Sequence, residues 1–108
     1  MTRSAQRLLV SLMLAAGVTA AAAADFPSRQ VHLIVPFPPG GSIDLVTRLT
    51  AAKLRDAWRQ SIVVENRVGA NGAIAVDYVA KSAPDGHTLV FHSSLIVATQ
   101  HLQRTPYD

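Results

Sequence analysis

The chain has 108 residues, 49% of them hydrophobic and 16% charged, with a formal net charge of +3 and no cysteine. That is enough for one small domain, which must rely on apolar burial without disulfides. The cations are dispersed and carry no interleaved aromatics, which argues against a nucleic-acid partner.

The first segment reads as an export signal. Arg3 and Arg7 give a cationic start, Leu8 to Val18 an apolar run, and Ala22-Ala23-Ala24 a small-x-small cleavage site before Asp25. The apolar run is shorter than the ~20 residues that cross a bilayer, so a transmembrane anchor is disfavoured. The expected division is a signal peptide over 1–24, cleaved after Ala24, and an exported folded part over 25–108. Without Arg3 and Arg7 the remainder is nearly neutral.

Val31 to Val35 has the β-branched character of a buried strand, and Pro36 stops ladder donation at its end. The loop "PFPPGG" follows, and a helix is expected from Ser42 to about Trp58, with Val46, Leu49, Thr50, Leu54 and Ala57 on its buried face. Arg48, Arg55 and Arg59 are expected to stay solvated. Ile62 to Val64, with Glu65 near its end, forms a second strand, and "ENRVGANGA" repeats the passage from strand through glycine loop to helix. The second helix carries Ile74, Val76, Val79 and Ala80. "APDG" at 83–86 is a turn, Thr88 to Phe91 a third strand, and Ser93 or Ser94 a cap for a last helix. Strands alternating with helices define an α/β class with three parallel strands and crossover helices.

In such a sheet the three loops gather at the carboxyl edge, where helix amino termini offer unpaired N–H groups and the positive end of the dipole. An anion suits that edge. The candidate ligand-binding residues are Gly40, Gly41 and Ser42 in the first loop, Arg67, Gly69, Ala70, Asn71 and Gly72 in the second, and Ser93 and Ser94 in the third; the resemblance described below extends the first loop to Phe37 and Pro38. Ser42 either touches ligand or caps its helix. Arg67 either forks onto a carboxylate or pairs with Glu65. Asp44 sits in the first helical turn, where the dipole favours a carboxylate.

Other chemistries lack their residues. "PPGGSID" has no phosphate-loop lysine, "GANGA" no dinucleotide pattern, and no G-x-S-x-G surrounds Ser42, Ser93 or Ser94. His87 and His92 straddle a strand at odd separation and read as surface or strand-end residues, with no metal constellation. No catalytic set and no cofactor motif emerges.

Taken together, "IVPFPPGGSIDLVTR", "VVENRVGANGAIA", "VAKSAPDGHTLVF" and "TPYD" resemble, in order and spacing, the Bug-type (TctC-like) solute-binding proteins of tripartite tricarboxylate transporters. The resemblance runs from Phe26 to Asp108. It implies lobe one of a two-lobed, type II-like periplasmic binding protein that closes around a small carboxylate and delivers it to membrane permease subunits, as a monomer when full length. Phe37 to Ser42, Arg67 to Gly72, and Ser93 with Ser94 then look like the family's three ligand loops, holding a carboxylate through amides and ordered water.

Val68 stands where the family usually has proline, Asn71 and Ala75 where glycine is common, and His87 where tyrosine is usual. Full members continue into a second lobe, so the resemblance implies an amino-terminal portion of lobe one, incomplete, weakly binding or inactive alone, and marginally stable or prone to aggregate. The alternatives are a small exported α/β enzyme acting on an anionic substrate and a gene remnant without function.

Overall fold

The computed structural model describes residues 25–102 and 104–107; the expected signal peptide and its cleavage site lie outside them. Three strands, β1 (Val31–Val35), β2 (Ile62–Asn66) and β3 (Thr88–Val90), form one parallel sheet in the order β2-β1-β3. Helix α1 (Ser42–Trp58) links β1 to β2, α2 (Ala73–Ala80) links β2 to β3, and α3 (Leu95–Leu102) follows β3. The α/β class and the crossover arrangement expected from the sequence are therefore present.

The strand order explains the layering. The chain steps from β1 to β2 on one side and then across β1 to β3 on the other. Right-handed crossovers in both directions place α1 and α2 on opposite faces. Accordingly α1 packs on β1 and β2, and α2 on β1 and β3. The middle strand is covered from both sides: Val31, Leu33, Ile34 and Val35 are all buried. Val31 and Leu33 join Ala51 of α1, with Trp58, Ile62 and Val64 packed around them. Ala75 and Val76 supply the buried face of α2.

Helix α1 has the expected limits but a different buried face. Asp44, Thr47 and Ala51 are buried, with Leu54 and Trp58 half-buried, whereas Val46, Leu49 and Ala57 are exposed. The polar members of this stripe are locally satisfied. Thr47 Oγ1 donates to the Ile43 carbonyl (2.7 Å), and Asp44 accepts three hydrogen bonds, so burial leaves neither unpaired. In α2, Val76 is buried and Val79 half-buried, while Ile74 and Ala80 are exposed.

The far end of the sheet, opposite the loops, is closed by Phe26. Its ring meets Trp58 edge-on at 5.7 Å and His87 at 5.0 Å and covers Gly86 in the 83–86 turn. His87 is thus a buried residue, not a surface one. Asp85 receives the His87 N–H and the Arg29 guanidinium, and these donors hold its carboxyl down at about 2.

Candidate functional site

The three loops converge at the carboxyl edge, between β1 and β3, where the strand order reverses. Open α/β sheets leave a crevice at this point because the chain departs to opposite faces on either side of it. A cleft of about 360 Å³ lies here, lined by Pro36, Phe37 and Pro38 from the first loop, Val68 to Gly72 from the second, and Leu95 from the start of α3. No charged side chain lines it.

The first loop is organised by Asp44. Its carboxylate, almost fully buried, accepts from Arg48 Nε (2.9 Å), the Gly40 amide (2.9 Å) and Asn66 Nδ2 (2.8 Å). Arg48, with Gly40 and Asn66 behind it, holds this carboxyl far below the ordinary range. Asn66 also donates to the Phe37 carbonyl (2.9 Å), and Arg48 reaches the Asn66 side-chain oxygen (3.1 Å). The end of β2 is thereby stitched to the loop after β1. Arg48 joins this network while its side chain stays half exposed, in keeping with the expectation that it remains solvated.

This arrangement revises which amides are free. The Gly40 N–H is taken by Asp44, and the Gly41 N–H makes a long contact with the Pro38 carbonyl (3.4 Å). Gly41 occupies the capping position without a side-chain bond, so Ser42 does not cap α1; it is exposed at the helix start. Gly40, Gly41 and Ser42 lie beside the cleft rather than in its lining.

The second loop presents open amides. Gly69, Ala70, Asn71 and Gly72 all have positive φ (138°, 47°, 54° and 90°), making a left-handed turn closed by the Gly72 amide on the Gly69 carbonyl (3.0 Å). Left-handed geometry costs a residue with a Cβ roughly 1–2 kcal/mol, which Ala70 bears and Asn71 bears more easily. The turn leaves the N–H groups of Gly69, Ala70 and Asn71 without partners among the described residues, and all three residues line the cleft. At Gly69 the φ of +138° strains any residue with a Cβ, whereas the 2.6 Å approach of such a Cβ to Ile74 Cδ1 could be relieved by turning that exposed side chain.

Arg67 does not enter the cleft. Its guanidinium donates to Glu65 (3.2 Å) and lies 3.7 Å from the Tyr78 ring centroid, the ion-paired alternative considered from sequence. Glu65 is shared with His32 (2.6 Å), and His32 first, then Arg67, holds its carboxyl below the usual range. In the third loop the carbonyls of Ser93 and Ser94, rather than their hydroxyls, close the first turn of α3 (3.2 Å each). Both serines precede Leu95 at the cleft rim.

Pro36, Val68 and Leu95 join the lining without having been singled out in the sequence. His92 is not in the lining but stands just behind it. Its ring meets Phe37 edge-on at 5.3 Å, and its Nε2 lies 2.6 Å from where a Cβ on Gly72 would stand. No motif carried that signal; only the fold brings His92 against two loops distant in sequence.

An open cleft with bare amides at a sheet's carboxyl edge is the architecture of one wall of a solute-binding lobe. Comparison with known proteins agrees. Residues 46–108 match the family model described as "Tripartite tricarboxylate transporter family receptor". The chain is 47% identical over 96 residues to Protein BugT of Bordetella pertussis, covering 85% of this chain and 29% of BugT. Among solved structures it is similar to R. palustris Rpa4515 with adipate (50% identity, TM-score 0.60, covering 61% of this chain and 22% of that one). It is also similar to MatC from Rhodopseudomonas palustris with bound malate (48% identity, TM-score 0.58, covering 60% and 22%).

The chain belongs to the tripartite tricarboxylate transporter receptor family, as its motifs led us to expect. It spans less than a third of the length of these relatives. The family and the structural neighbours are solute-binding proteins, not enzymes, which removes the enzyme alternative.

Proposed function

We propose that this protein is an extracytoplasmic receptor that captures a small carboxylate and passes it to the membrane permease subunits of a tripartite transporter. The observation that carries the reading is the turn at Gly69 to Gly72, which lines a cleft free of charged side chains and leaves the amides of Gly69, Ala70 and Asn71 unpaired among the described residues. Bare N–H groups are suited to carboxylate oxygens, and apolar Pro36, Phe37, Val68 and Leu95 to a carbon chain. The adipate and malate held by the two neighbours belong to the same ligand class.

Phe37, Pro38, Gly69, Ala70, Asn71 and Gly72 are the contact set in this reading, with Ser93 and Ser94 at the rim and Gly40, Gly41 and Ser42 supporting the first loop. The described residues form one wall of the cleft. Closure by an opposing wall is what buries a ligand in a hinged site, so full enclosure of the carboxylate needs a second wall facing these residues. Export after cleavage behind Ala24 completes the proposal, and amino-terminal sequencing of the exported protein should begin at Asp25.

The direct test is a thermal shift with adipate, malate and a neutral sugar. At about 100 times Kd, mass action stabilises the folded state by about 2.7 kcal/mol, so a carboxylate should raise the midpoint by several degrees. A series in which only the sugar shifts the midpoint would overturn the ligand class.

A further inference from the structure

His92 is the one titratable side chain that touches both cleft-forming loops among the described residues. It packs on Phe37 and lies against Gly72 with Pro36 beside it. Its Nδ1 is 2.9 Å from the Ser93 carbonyl oxygen. A carbonyl only accepts, so Nδ1 carries a proton in every state that keeps this bond. Nε2, on the Gly72 side, has no hydrogen-bond partner among the described residues.

This geometry restricts how the ring can meet an anion. With the Nδ1 proton committed, neutral His92 offers only a lone pair at Nε2, which repels a carboxylate oxygen. Protonation turns Nε2 into a donor and places a positive charge beside a cleft that otherwise has only amides. We infer that His92 is a ligand-reading residue of this cleft, its Nε2 donating as imidazolium to a carboxylate oxygen seated against the Gly69 to Gly72 turn. The inference rests on the carboxylate reading above and adds a side-chain contact and a proton to it.

The surrounding elements supply no competing charge at this point. The contacts seen for the ring are with Phe37, Gly72 and the Ser93 carbonyl, none of them charged. Of the charged or titratable groups on the adjoining elements, Asp44 is held by Gly40, Arg48 and Asn66, Arg67 by Glu65 and Tyr78, and Asp77 by Lys81; His101 lies in the last turn of α3.

The experiment titrates the full chain with adipate at about pH 8 and about pH 6, following backbone amides and the His92 ring nitrogens by NMR, beside the variant His92→Gln. In the parent, adipate binding should tighten about three- to tenfold at the lower pH, and the ring nitrogens should move toward the imidazolium pattern as adipate is added. The glutamine variant keeps a donor without titrating, so its affinity should be nearly independent of pH. Adipate binding with ring nitrogens unmoved, or a variant that retains the parental pH slope, overturns the inference and leaves the carboxylate reading intact. Failure of both adipate and malate to bind at either pH overturns the two together. The ring-nitrogen measurement is made on the parent and stands even if the variant fails to fold.

Discussion

At the scale of single residues, Asp44 is the side chain on which the site's geometry depends. A first-turn carboxylate reads from sequence as a partner for the helix dipole, yet here it also ties together a glycine amide, an arginine and an asparagine from another strand. Asp44→Asn removes the charge that Arg48 pairs with, and it leaves one of three donors short of an acceptor. The thermal midpoint should fall by roughly 5–10 °C, read by circular dichroism. The pH dependence has a definite sign. A carboxyl whose folded pKa is depressed contributes its full stability above the ordinary carboxylate range, and that contribution disappears as pH falls toward the folded value. The acid limb of the stability curve should therefore be shallower in Asp44→Asn than in the parent. Equal limbs would show that Asp44 is not ionised in the fold as described.

At the scale of elements, the turn at 69–72 and His92 constrain one another. Gly72→Ala would set a Cβ 2.6 Å from His92 Nε2 and 3.2 Å from Pro36 Cβ at a φ of +90°, so either the turn or the ring must move. Loss of about 1–3 kcal/mol in stability is expected. Ligand-induced shifts at Gly69 to Asn71 in NMR spectra should vanish with it. Elements were legible in the sequence wherever one local pattern decided them: β1 and α1 have the limits read from Val31 to Val35 and Ser42 to Trp58. The buried side of α1 was not, because Val46 and Leu49 form a more apolar stripe than Asp44, Thr47 and Ala51. Only partners far along the chain, Asn66 above all, make burying the polar stripe tolerable. The free amides failed for a related reason. Glycines announce a bare backbone, but whether a side chain four residues on has already claimed it, as Asp44 claims Gly40, is a property of the fold. His92 was invisible for want of any local signal.

For the molecule as a whole, the outer face of α1 leaves Leu45 58% and Leu49 62% exposed, beside Val46. Among the described residues, strands β2 and β3 are the edges of the sheet. Apolar surface and open edges together favour self-association. Leu49→Lys should reduce concentration-dependent light scattering while changing the unfolding free energy by no more than about 0.5 kcal/mol. Unchanged scattering would place the cause elsewhere. The Asp44 clamp has a consequence at this scale too. Because it fastens the loop after β1 to the end of β2 during folding, the freedom a slack loop would give up at every encounter has been relinquished beforehand. Capture then needs little rearrangement on this side of the cleft, so discrimination among guests should show itself in how long each one stays and not in how quickly it arrives.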